Sequence, residues 1–106
     1  NLSIGERQLI AFARILAFDC EILVLDEATA NVDSETEALL QDAARRAREG
    51  RTSVVIAHRL STIADADHLL VLENGRLIEQ GSPRELAARP DSHYRQMLER
   101  APAATR

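Results

Sequence analysis

The sequence predicts an α/β fold: a mostly parallel sheet with helices on both faces, finished by an antiparallel hairpin at its far edge. Three observations carry this. Two continuous apolar runs, Ile22-Leu23-Val24-Leu25 and Thr52-Ser53-Val54-Val55-Ile56-Ala57, have the length and composition of strands buried on both faces. An amphipathic helical pattern separates them, as a parallel crossover requires. Further on, Asn74-Gly75 stands between two short apolar segments, the strongest local signal for a tight hairpin.

The elements follow in order. From Glu6 to Phe18 the apolar residues Leu9, Ile10, Phe12, Ala13, Ile15, Leu16 and Ala17 nearly encircle a helix, which predicts deep burial. The first strand ends in Asp26-Glu27. Thr36, Leu39, Leu40, Ala43, Ala44 and Ala47 then recur at three and four, marking a helix that stops near Gly50. Ser34 and Glu37 suit a capping box at its start. The second strand leads into His58, and Ser61 to Ala66 make one or two helical turns. A third strand, His68 to Leu72, returns through Asn74-Gly75 as Arg76 to Gln80. Ser82-Pro83-Arg84-Glu85 combines a cap, a proline at the first helical position and a glutamate two residues later, opening a helix through Ala88. After Pro90 a last helix spans about Ser92 to Arg100. Residues 1–100 therefore read as one domain portion and 101–106 as a tail, and the abrupt start at Asn1 reads as a cut inside a domain.

Composition excludes several classes. The 106 residues are 45% hydrophobic and only 3% aromatic, so the core is aliphatic. A net charge of -4 with dispersed arginines gives no basic footprint, and no nucleic-acid partner is expected. One cysteine, Cys20, allows neither an internal disulfide nor a cysteine metal cluster and fits a reducing compartment. The longest apolar runs fall far short of the roughly 20 residues of a spanning helix. All thirteen basic side chains are arginine; there is no lysine. A phosphate-binding loop of the Gly-x-x-x-x-Gly-Lys-Ser/Thr type needs that lysine, so the chain contains none.

Four segments carry chemistry. Leu2-Ser3-Ile4-Gly5-Glu6-Arg7-Gln8 sets a hydroxyl, a glycine and unpaired amides at a helix N-terminus, an anion-binding arrangement that is also an ordinary capping box of Ser3 with Glu6. Asp26 and Glu27 place adjacent carboxylates at a strand's carboxyl end, where one can hold Mg²⁺ and the other can orient a nucleophilic water, or where both can simply form a solvated turn. Asp33 lies just before a helix, as a cap would. His58 closes a buried strand and can hydrogen-bond a phosphate or play a structural part.

Taken jointly, in order and spacing, these segments resemble the ATP-binding-cassette ATPases over nearly the whole chain. Leu2 to Gln8 is similar to the signature segment, Ile22 to Asp26 with Glu27 to the Walker B strand, Ala30 to Asp33 to the D-loop, and His58 to the switch histidine. Ile56-Ala57-His58-Arg59-Leu60-Ser61-Thr62-Ile63 and Asn74-Gly75-Arg76-Leu77-Ile78-Glu79-Gln80-Gly81 look like the exporter branch. Ile4 stands where the family's commonest signature has glycine, and Glu6 where it often has glutamine. The chromosome-maintenance and DNA-repair ATPases share signature, Walker B and histidine, but the segment from His58 to Gly81 favours an exporter over them; a non-catalytic truncated fragment is the alternative from another class.

The resemblance implies the C-terminal part of a nucleotide-binding domain with a partial P-loop NTPase (RecA-like) fold. It implies ATP and Mg²⁺ as ligands and a second such domain, identical or different, as partner. It also implies a transmembrane domain and a place on the cytoplasmic face of the membrane. Carried over by residue, Asp26 supports Mg²⁺ coordination, Glu27 is general base and His58 contacts the γ-phosphate. Ser3, Gly5 and Glu6 reach the nucleotide held by the opposite subunit, and Asp33 links the two sites. Alone, the chain is expected to be inactive and to leave an apolar strand edge where the P-loop strand would pair.

Overall fold

In a computed structural model, residues 3–27 and 33–101 are described. They fall into two compact units, Asn1–Ile56 and Ala57–Arg106. Among the described residues nine elements follow in order: α1 (Ile4–Ala17), β1 (Ile22–Asp26), α2 (Ser34–Arg48), β2 (Thr52–Ile56), α3 (Leu60–Ala64), β3 (Leu69–Glu73), β4 (Arg76–Gly81), α4 (Pro83–Ala88) and α5 (His93–Arg100).

The first unit is built on a β-α-β crossover. β1 and β2 pair in parallel, Ile22 opposite Thr52 through Asp26 opposite Ile56, as two apolar runs joined by a helix require. Burial along β1 alternates, however: Leu23 is 5% exposed, whereas Ile22 and Val24 are 67% and 66% exposed. The expectation of strands buried on both faces therefore fails for this unit. A two-stranded sheet covers one face with its own helices and leaves the other open. α1 departs from expectation in the same way. Gly5 is its buried residue, while Ile10 and Leu16 are exposed and Phe18 beyond it is 68% exposed. Among the described residues α1 packs mainly along α2, and part of the apolar ring around it stays exposed.

α2 starts one residue earlier than the sequence suggested. Asp33 is its N-cap, its Oδ1 accepting the Thr36 amide at 2.7 Å, so the box expected between Ser34 and Glu37 is replaced by an aspartate cap. Aspartate is at least as good a cap as serine, and its charge suits the helix N-terminus. At the other end, Arg51 gathers carbonyls. Its Nη1 donates to Ala47 at 2.6 Å and its Nε to Cys20 at 3.0 Å, while Nη2 donates to Ile15 and Phe18 at 3.5 Å. The planar guanidinium fork can serve both helix ends and the approach to β1 at once, and its cation complements both helix dipoles.

The second unit opens with His58 and the short α3, in which Thr62 is buried. β3 and β4 form an antiparallel hairpin whose two-residue turn is Asn74-Gly75, with φ of 51° and 76°. Positive φ at both positions is a type I′ turn, which matches the twist of the strands it joins. The ladder shifts register between Val71 and Leu72. This hairpin is a sheet of its own: β3 pairs with β4 and β1 with β2, so the single sheet expected from the sequence is two two-stranded sheets among the described residues. A hairpin closed by its own turn needs no neighbouring strand, and this one packs on α4, whose Leu86 is fully buried. Gly81 sits at φ 155°, where an added Cβ would stand 3.4 Å from Leu86. Ser82 caps α4 through the Glu85 amide with Pro83 in the first turn, as expected. Ser92, 3% exposed, caps α5 through Arg95 and donates its hydroxyl to the Leu86 carbonyl at 2.5 Å. Glu79 on β4 accepts the amides of His93 and Tyr94 at 3.0 and 3.2 Å, so a carboxylate anchors the N-terminus of α5 to the hairpin.

Candidate functional site

Six of the seven candidate residues belong to the first unit. Ser3 is the N-cap of α1. Its Oγ accepts the Glu6 amide at 3.1 Å while Glu6 Oε1 accepts the Ser3 amide at 3.2 Å, a complete capping box. The Ser3 hydroxyl keeps its own hydrogen to donate, and the capping box takes up the Ser3 and Glu6 amides but not those of Ile4 and Gly5, which lie too early in the helix for an intrahelical acceptor. Gly5 is buried behind this exposed turn. The arrangement can present a hydroxyl and backbone donors to an anion with the positive end of the helix dipole behind them.

Asp26 is the last residue of β1 and is exposed; Glu27 follows it and is half-buried. The alternation that puts Leu23 inward and Val24 outward carries on through them. Asp26 thus faces with Ile22 and Val24, and Glu27 with Leu23 and Leu25. The Glu27 amide donates to the Ile56 carbonyl at 2.9 Å, extending the parallel ladder one step beyond the strand and fixing its backbone. On the inward side it meets α2: Gln41 Nε2 donates to Glu27 Oε1 at 3.3 Å.

Asp33 is exposed, and its carboxyl is held below its usual value of 3.8 by the Thr36 side chain first and the Thr36 amide second. It is therefore charged, and serves as the cap of α2. Ala30 to Val32 of the D-loop-like segment, Leu2 of the signature-like segment and residues 102–106 of the tail lie outside the described residues. His58 belongs to the second unit, exposed in the connection between β2 and α3.

The structure thus brings Ser3 to Glu6, Asp33 to Thr36 and Glu27 to Gln41. Neither Gln41 nor Arg51 stood out in the sequence. Gln41 has one faint signal: it is a neutral polar residue beside Leu40 and Ala44 on the half-buried side of α2, where a solvated face would have placed a charge. Arg51 follows the helix-ending Gly50, where a cation can cap carbonyls, but nothing in the sequence shows that it serves two helices at once.

Among the described residues no three His, Cys, Asp or Glu side chains gather into a metal-binding group. Asp26 offers an exposed carboxylate, a hard oxygen ligand. That suits Mg²⁺, which is commonly held by one or two carboxylates with substrate phosphates and water making up the rest. Also among the described residues, no helix is long and apolar enough to cross a membrane.

Comparison with known proteins settles the family. No protein-family model matches the chain. A probable multidrug resistance ABC transporter ATP-binding/permease protein, YheH of Bacillus subtilis, is 58% identical over 99 residues, which are 93% of this chain. An ATP-dependent lipid A-core flippase of Alkalilimnicola ehrlichii is 54% identical over 88% of the chain. A solved bacterial Atm1-family ABC exporter with ATP bound matches 96% of the chain with a TM-score of 0.73 and 46% identity. The chain belongs to the ATP-binding-cassette transporter family, in its exporter-like branch. It spans about 15% of the YheH protein, 16% of the flippase and 18% of the solved exporter chain. A fatty acid ABC transporter ATP-binding/permease protein of Mycobacterium tuberculosis, 51% identical over 89% of this chain, is matched over a similar 15% of its length.

Proposed function

We propose that this chain is the C-terminal part of a nucleotide-binding domain, with a partial P-loop NTPase fold, that hydrolyses ATP to drive export across a membrane. What supports the reading most is the carboxyl end of β1. There Asp26 and Glu27 stand on opposite sides of one strand, Glu27 with its backbone pinned to β2 and its carboxylate tied to α2. A base must be held in a fixed direction, and this one is. The family supplies the setting: its relatives are ATP-binding and permease proteins, and the solved exporter it resembles was captured with ATP.

In this reading Glu27 takes a proton from the attacking water. The water oxygen forms a bond to the γ-phosphorus as the bridging bond between the β- and γ-phosphates breaks, giving ADP and inorganic phosphate. Asp26 would hold Mg²⁺ on its outward side; the ion, when bound with the nucleotide, would neutralise phosphate charge. His58 would donate to a γ-phosphate oxygen. Ser3, Gly5 and Glu6 would close on a nucleotide gripped by a second nucleotide-binding domain, with Asp33 joining the two sites. A transmembrane domain would carry the substrate, and the segment would lie at the cytoplasmic face of the membrane.

The chain holds no lysine and hence no phosphate-binding loop, so by itself it should turn over no ATP. The test compares the full-length protein with its Glu27→Gln variant. Turnover should fall by at least a hundredfold while ATP is still bound. Full turnover in the variant would end the assignment of Glu27 as base.

A further inference from the structure

We infer that Gln41 is a positioning residue for ATP hydrolysis: its side-chain amide fixes the direction in which the Glu27 carboxylate meets the attacking water. The inference rests on the reading of Glu27 as the base, and adds to it a residue outside the recognised motifs.

Three observations support it. Gln41 Nε2 donates to Glu27 Oε1 at 3.3 Å, both residues half-buried, so water does not simply substitute for the bond. Both partners stand on fixed backbone. The Glu27 amide is bonded to Ile56, while α2 is held by Asp33 at its first turn and by Arg51 at Ala47 in its last. The chemistry of the donor also fits. A carboxylate offers about four lone-pair sites, so one bond at Oε1 leaves capacity for a water. A neutral amide orients the group without adding a charge that would compete for its proton. A lysine or arginine here would stabilise the carboxylate and weaken it as a base, and a glutamate would repel it.

Without the donor, the Glu27 carboxylate loses this constraint on its direction, and the fraction aimed at the water falls. Binding of ATP does not depend on that aim, so the loss should appear in kcat and not in KM.

The experiment uses the full-length protein with Gln41→Leu and Gln41→Glu, measured beside Glu27→Gln. Gln41→Glu keeps the length and shape of the side chain and replaces the donor with an acceptor that repels the Glu27 carboxylate, so it removes the hydrogen bond without the change of shape that leucine brings. The expected result is a fall in kcat of about tenfold to a hundredfold in both variants, the size set by one hydrogen bond to a charged group. KM for ATP should stay within about twofold and the melting temperature should be close to that of the parent. Parental kcat in Gln41→Glu, or a rise in KM with kcat retained, would overturn the inference while leaving Glu27 as base. Full turnover in Glu27→Gln would instead overturn the reading beneath it.

Discussion

Arg51 Nη1 donates to the carbonyl of Ala47 at 2.6 Å, and the same guanidinium reaches Cys20 ahead of β1. One side chain thereby ties the end of α2 to the start of the strand that carries Asp26 and Glu27. Hydrogen bonds to a charged group contribute about 1.5–3 kcal/mol each, and the part-buried carbonyls left behind would lose their donor. Arg51→Ala should therefore raise amide exchange in the last turns of α1 and α2 by about tenfold to a hundredfold in the full-length protein. Arg51→Lys should recover only part of this, since a single ammonium cannot reproduce the fork. Exchange rates in those turns equal to the parent's would show that the fork contributes nothing there.

Asp33 gives a prediction in pH. Its pKa is lowered from 3.8, so its contribution is present above that value and is lost as pH falls through the lower, folded value. In an acetylated peptide of residues 32–50, helix content by circular dichroism should drop on acidification. Asp33→Asn keeps the cap without the charge and should show a smaller drop. All the other acidic residues are the same in both peptides, so the difference between the two curves isolates Asp33. Superimposable curves would refute the charged cap.

Ser3 can be asked which of its two parts it plays. Asparagine caps a helix as well as serine does but presents no hydroxyl. Ser3→Asn should preserve α1 and still lower ATP turnover of the full-length protein at least tenfold, because the proposed contact to the opposite nucleotide goes with the hydroxyl. If Ser3→Asn turns over as the parent does while Ser3→Ala does not, capping is the whole of its contribution.

The local features were the legible ones. Asn74-Gly75, Ser82-Pro83 and the run Ile22 to Leu25 each state their structure within a few residues, and the structure has the hairpin, the capped helix and the parallel strand in those places. Asp33 and Ser34 both suited the start of α2 in the sequence, because serine and aspartate cap alike, and only backbone dihedrals decide which residue stands outside the helix. The burial of Ile22, Val24 and Ile10 was over-read, since an apolar run reports what a strand or helix can bury and not what lies against it. At the candidate site, the sequence marks Asp26 and Glu27 by their place after a strand. It does not mark Gln41, fourteen residues beyond Glu27, whose contact depends on how α2 lies over the sheet.

Ser92 offers the sharpest test of the second unit. It is nearly fully buried, its Oγ accepting the Arg95 amide at 2.9 Å and donating to the Leu86 carbonyl at 2.5 Å. Alanine removes both bonds together, leaving a helix N-terminus without its cap and a carbonyl without this donor. The expected loss is about 1–3 kcal/mol. Tyr94, buried two residues on, separates this effect from simple packing. Burial raises its pKa above 10.0, so the folded state keeps the phenol protonated longer than the unfolded chain does. Its contribution is full below pH 10 and is lost as pH rises through the folded value. Ser92→Ala should therefore be destabilised by the same amount at pH 7 and pH 9, whereas Tyr94→Phe should blunt the loss of stability above pH 10. Amide exchange across α4 and α5 measures both. A Ser92→Ala defect below about 0.5 kcal/mol would mean that the two bonds are replaced by others when the hydroxyl is removed.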